Sequence, residues 1–159
     1  MRSLAIAIGL ATPAAAGPLS GQSFMIEMSS SQASSGYGDY LLPPLIKVME
    51  ASDLVPHGLL GPGADIVVNV VTGSDFGAWT GDPPVWTYTI SATVGLSPES
   101  YPMPYDGTPA FGVRAELRTP NPDREDEMNC LITLAARTAI ANYRPTGILK
   151  TDGQSCLRR

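Results

Sequence analysis

The sequence predicts an α+β domain in the order β-α-β-β-β-α, with a mostly antiparallel four-stranded sheet and two helices packed on one face. Three observations carry this expectation. Residues 64–72, Ala-Asp-Ile-Val-Val-Asn-Val-Val-Thr, form an apolar run of strand length. Residues 85–94 and 111–118 alternate apolar with polar side chains, the period-two pattern of a strand with one packed face and one wet face. Two further stretches, around 41–49 and 128–143, repeat apolar residues at helical spacing.

The chain opens Met1-Arg2-Ser3, runs apolar from Leu4 to Ala11, and reaches Ala14-Ala15-Ala16 just after Pro13. A positive start, an apolar middle and a small-residue site are the layout of a secretory signal peptide, with the cut after Ala16. The alternative is an apolar helix retained in the fold, although the run is too short to span a bilayer. No Cys follows the cut, unlike the arrangement of a bacterial lipoprotein. Residues 17–159 then form a single domain, with a core at about 24–143 and a tail at 144–159.

Phe24-Met25-Ile26-Glu27-Met28 reads as a short first strand, followed by a serine-rich stretch, Ser29 to Gly38, of flexible-loop composition. Asp39 can cap the first helix, and Pro43 and Pro44 fit its first turn. Leu41, Leu42, Leu45, Ile46, Val48 and Met49 supply its apolar face, and the helix ends near Ser52-Asp53. In the next strand Ile66, Val68 and Val70 point one way and Val67 and Val71 the other. Such a strand is covered on both sides, or meets a partner with its second face. In the strand after it, Trp86, Tyr88, Ile90, Ala92 and Val94 share the packed face, while Thr87, Thr89, Ser91 and Thr93 share the wet one. A proline-rich loop, Gly95 to Pro109, leads to a strand with Phe111, Val113, Ala115 and Leu117 facing inward. Asn121 or Asp123 can cap the last helix, the acids Asp123, Glu125, Asp126 and Glu127 suit its positive end, and it runs to about Tyr143.

This order resembles that of the small bacterial envelope domains of the DUF4136 type. The resemblance lies in a helix (Leu45 to Met49) leading into Ala64-Asp65-Ile66-Val67-Val68, and in the Ala-rich closing helix, Leu134 to Tyr143. Those proteins are usually lipoproteins, and here the lipobox Cys is missing. The resemblance implies an envelope location and no activity or functional residue.

The net charge of −5, with ten basic residues, argues against nucleic acid, whose binding needs a basic patch. Anionic membrane surfaces are disfavoured on the same ground. Beyond the leader no stretch is apolar enough to span a membrane. In an oxidising compartment the two cysteines, Cys130 and Cys156, would form one disulfide tying the tail to the last helix; free buried thiols are the alternative.

Few residues point to chemistry. His57 is the only histidine and sits in a Gly/Pro connector, so a Ser-His-Asp triad would have to use it. Phosphate loops and metal-ligand spacings are lacking, and neither cofactor nor metal is expected. The acidic run 123–127 has oxygen ligands enough for Ca²⁺ without EF-hand spacing, and the helix dipole accounts for it. For a carboxylate pair of the hydrolase kind, Glu116, Asp75 and Asp82 are the candidates. The better candidate surface is the loop from Gly73 to Pro84, where Phe76 and Trp79 stand beside Asp75 and Asp82. Folding of Phe76 and Trp79 over the sheet edge as a lid is the alternative. The expected partner is an envelope protein or a second copy of the chain, and the expected function is binding or assembly, with a small secreted hydrolase using Asp/Glu in a loop-lined cleft, or a structural self-associating subunit, as the rivals.

Overall fold

The computed structural model describes residues 17–30, 38–58, 63–104 and 107–158. Residues 1–16, where a leader is expected, and 31–37, within the expected serine-rich loop, lie outside the described residues. The elements are β1 (Ser23–Ser30), α1 (Gly38–Glu50), β2 (Val55–Pro56), β3 (Ile66–Ser74), β4 (Ala78–Thr80), β5 (Val85–Pro98), β6 (Phe111–Thr119), α2 (Glu125–Ala141), β7 (Gly147–Asp152) and a 3-10 turn at Gln154–Cys156.

The α+β class is as expected, but the sheet is mixed and has seven strands rather than four mostly antiparallel ones. Its order is β2-β1-β3-β5-β6-β7, with β4 also paired to β5. The meander of β3, β5 and β6 is antiparallel, Ile66 standing opposite Pro98 and Leu96 opposite Phe111. β1 lies beside β3 but parallel to it, Phe24 opposite Ile66, and β7 runs parallel to β6. The reason is covalent. A chain that leaves one strand, packs a helix across the sheet and returns to the neighbouring position re-enters at the same end, so the strands must be parallel. Helix α2 makes the second crossover; the first runs through α1 and then β2, which pairs parallel on the far side of β1, before the chain enters β3. β7 carries little apolar signal: Gly147-Ile-Leu-Lys-Thr-Asp has only Ile148 and Leu149 as apolar residues, and it lies in what the sequence presents as a tail.

Both crossovers step the same way across the sheet, from β1 to β3 and from β6 to β7, and these four strands point the same way. Crossovers share one hand, so both helices land on one face, where they touch each other. The core fills the space beneath them. Ile66, Val68, Val70, Ile90, Val94, Phe111 and Val113 meet Leu41, Leu45 and Met49 of α1 and Leu131, Ile132 and Ala135 of α2, all buried.

Two local expectations are corrected. α1 begins at Gly38, so Pro43 and Pro44 fall inside it rather than in its first turn. Their missing N–H groups forgo bonds to the carbonyls of residues 39 and 40, close to the helix start. The N-cap of α2 is Arg124, with no side-chain cap bond. Asp123 accepts only a long 3.4 Å bond from the Glu125 N–H. Asn121 instead donates to Glu127 Oε1 at 2.6 Å and to the Arg158 carbonyl at 3.2 Å. Glu127, from the acidic run, is fully buried, and its Oε1 also accepts from Thr119 Oγ1 and from the Arg158 N–H, each at 3.0 Å. This carboxylate thus ties β6, α2 and the tail together.

Cys130 and Cys156 are disulfide-bonded with their Cα atoms 5.5 Å apart, and Cys156 is buried against the core. Closing this loop restricts the unfolded chain by roughly 3 kcal/mol. Replacing both cysteines by serine should lower the unfolding free energy by about that amount in urea titration. The unreduced protein should weigh two hydrogens less than the reduced one; two thiols open to alkylation before reduction would refute the pairing.

Candidate functional site

The candidate surface arises from a mismatch in strand length. β5 has 14 residues, whereas β3 and β6 have 9 each. The last pair with β6 is Tyr88 opposite Thr119, and the last with β3 is Ile90 opposite Ser74. Beyond them Val85–Thr87 pairs only with β4, and a turn at 81–84 closes an arm that projects from the sheet. Trp79 stands directly opposite Trp86, ring centroids 5.3 Å apart and planes at 81°, an edge-to-face pair.

Helical cover ends at the arm's root. Arg124 lies over the Tyr88 ring at 4.2 Å, and its Nη1 donates to Ser74 Oγ at 2.9 Å. Strand alternation puts Trp86 on the same side as Tyr88 and Ile90, which made it a core residue by phase. The phase is right, but the helix layer stops short of it. Trp86 is 37% exposed, Trp79 68% and Phe76 88%. Phe76 and Trp79 therefore form no lid.

The root is a β-bulge. Ser74 pairs with Ile90 and Ala78 with Thr87, so three residues, 75–77, oppose two, 88–89. Asp75 organises it: Oδ1 accepts from the Thr89 N–H at 2.8 Å and the Gly77 N–H at 3.0 Å, while the Asp75 N–H donates to the Thr89 carbonyl. Gly77 takes φ +85°, and a Cβ there would run into the Trp86 indole. Phe76 occupies the apex. The bond from the Thr89 N–H, helped by those from Gly77 and by the charge of Arg124, holds the Asp75 carboxyl below its usual pKa. Asp75 is thus an ionised acceptor. A general acid needs the opposite shift. Asp82 lies in the exposed turn, and among the described residues its side chain makes no hydrogen bond or ion pair. The two aspartates stand at opposite ends of the arm, and Glu116 is paired with Arg114 at 2.7 Å on the open sheet face.

That open face, opposite the helices, carries Thr89, Ser91, Thr93, Arg114, Glu116 and Arg118, as alternation required. The loop before β6 covers one end of it: a Cβ on Gly95 would collide with the Pro109 ring. Between this loop and the bulge remains a shallow groove of about 440 Å³, lined among others by Val71, Asp75, Thr89, Ser91, Thr93 and Arg114. Val67 and Val71 are half-buried on this face.

The structure brings together one cluster that the sequence did not suggest. Asp65 Oδ2 accepts from Ser23 N–H at 2.8 Å and Ser23 Oγ at 2.7 Å, and Ser23 Oγ accepts from the Asp65 N–H at 3.0 Å. These bonds, chiefly the one from the Ser23 N–H, lower the Asp65 pKa, with a smaller contribution from nearby His57. In a catalytic triad the serine donates to histidine. Here the serine proton is held by the carboxylate, so the cluster is a clasp joining the starts of β1 and β3. Among the described residues, no three His, Cys, Asp or Glu side chains converge as metal ligands. Of the acidic run, Glu127 is buried in the tail clasp and Asp126 pairs with Arg158 at 2.8 Å.

No protein-family model matches the chain, and no curated protein matches it.

Both tryptophans of the chain sit in the arm, so tryptophan fluorescence, excited selectively over the tyrosines, reports the arm. Because the Asp75 pKa is depressed on folding, the stability it contributes is present above the unfolded-state value, about 4, and is lost as pH falls through the lower folded value. Fluorescence should stay constant from neutral pH to about pH 4 and shift below it, and Asp75→Asn should flatten that transition. An unchanged acid transition in the variant would show that Asp75 does not hold the arm. Gly77→Ala should displace the Trp86 indole and alter emission at neutral pH, leaving far-ultraviolet dichroism unchanged.

Proposed function

We propose that this chain is an exported, non-catalytic binding or assembly module of the bacterial envelope that engages its partner through the β4–β5 arm. The observation that carries the reading is the exposure of Phe76, Trp79 and Trp86 together on an ordered arm. Large aromatics left in water on a rigid support are what recognition surfaces use, because little conformational entropy is lost when they are covered. Export is supported by the leader composition of residues 1–16 and by the disulfide, which belongs to oxidising compartments. Among the described residues, no helix is long and apolar enough to cross a membrane. The pattern resemblance to DUF4136-type domains supports the same location.

Trp79 touches little besides Trp86, so Trp79→Ala should change stability by about 1 kcal/mol or less. Capture of a partner from envelope extract by the immobilised protein should be lost in the same variant. A stability loss of several kcal/mol would place Trp79 in the core and overturn the reading.

A further inference from the structure

We infer that the partner of the arm is a second copy of this chain, which receives it in a groove between α1 and α2. The inference rests on the arm being the binding element. The groove, about 610 Å³, is lined by Pro44, Lys47 and Val48 from α1, by Ala51 and Ser52 from the turn after it, and by Thr133 and Arg137 from α2. Its floor is apolar, and it holds one cation from each helix and no carboxylate. Among the described residues, the Lys47 and Arg137 side chains make no ion pair or hydrogen bond, although the chain carries 15 acidic residues against 10 basic ones. An apolar strip with unpaired cations from both helices suits an occupant with an apolar body and a single negative charge.

The arm has that composition. Residues 76–88 contain Phe76, Trp79, Val85, Trp86 and Tyr88, and their only charge is Asp82, unpaired in the turn at the tip. Seated in the groove, Asp82 would meet Lys47 or Arg137, and an indole face would be open to the guanidinium. In its own chain the arm does not occupy the groove: none of residues 76–88 lines it, and the arm's root is held at Arg124, nine residues or about 13 Å of helix before Thr133. The contact is between copies, each chain giving an arm and receiving one, so the assembly is a reciprocal two-fold dimer, a larger ring or an open chain. Its strength is bounded by area. Aromatics bury roughly 150–250 Å² each, so Phe76, Trp79 and Trp86 cover less than the roughly 800 Å² per partner of a standard interface. Association should be weak, concentration-dependent and reduced by salt.

The test uses the purified protein and two variants with changes at exposed side chains: Trp79→Ala/Asp82→Lys without a working arm, and Lys47→Glu/Arg137→Glu without a working groove. Circular dichroism and the intact disulfide check that both fold. Sedimentation over a concentration series should show the mass of the unaltered protein rising from monomer to dimer or beyond. Each variant alone should associate on the order of tenfold more weakly or not at all. An equal mixture should form a one-to-one dimer, because one variant still offers its groove and the other its arm. If the groove variant assembles like the unaltered protein while the arm variant does not, the arm meets a copy elsewhere, for instance edge to edge, and this inference falls while the arm reading stands. If the arm variant assembles like the unaltered protein, or if the unaltered protein remains monomeric, the inference falls. Loss of extract capture in Trp79→Ala then decides the arm reading by itself.

Discussion

The constraint that governs this fold is the shared direction of its two helical crossovers. Because β1 to β3 and β6 to β7 step the same way across the sheet, one hand of connection sends both helices to one face. All large apolar cover is thereby on that face, and Ile90, Val94, Phe111 and Val113 bury fully beneath it. Among the described residues the opposite face has no helical layer to receive it, so β5 and β6 present Thr89, Ser91, Thr93, Arg114 and Glu116 to water. A small residue lets the loop ending at Pro109 lie flat against that face at Gly95.

The same economy of layers leaves the arm bare. A two-stranded ribbon is marginal in water, and this one is held by a few specific contacts. Asp75 satisfies the bulge that ends the β3 pairing, the Thr80 and Thr87 hydroxyls meet at 2.9 Å across the ribbon, and the two indoles pack edge to face on its other side. Arg124 joins the root to the start of α2 through Tyr88 and Ser74. The arm is thus rigid where it leaves the domain and apolar where it meets solvent, a combination that preorganises a contact surface.

Much of this was legible in the sequence wherever one physical rule acts locally. Period-two alternation placed Ile90, Ala92, Val94, Val113 and Ala115 on the buried face, and helical spacing found Leu45, Met49, Leu131 and Ile132. Two cysteines, read together with an expected leader, pointed to Cys130–Cys156. What was not legible depends on how layers are sized and joined. Parallel pairing of β1 and β7 follows from crossovers rather than from any residue. Trp86 was in correct phase, but its burial depended on where α2 begins. Phe76 and Trp79 could be singled out because strand phase left them unassigned. The role of Asp75 could not, since its bonds to Thr89 and Gly77 require the bulge register. Lys47 and Arg137 lie on separate helices, and only the packing of α1 on α2 places them in one groove.

The position of β7 has a consequence for how the chain comes to be folded. Synthesis proceeds from the amino end, and among the described residues the outer edge of β6 is paired by residues 147–152, which follow it and α2 in the chain. Until that segment emerges, β6 presents an open row of backbone donors and acceptors to any passing strand, including those of neighbouring nascent chains. The Glu127 clasp waits for Arg158, and the covalent tie waits for Cys156. Residues 147–158 thus act as a closure: without them the edge of β6 would be left open to pairing with other strands.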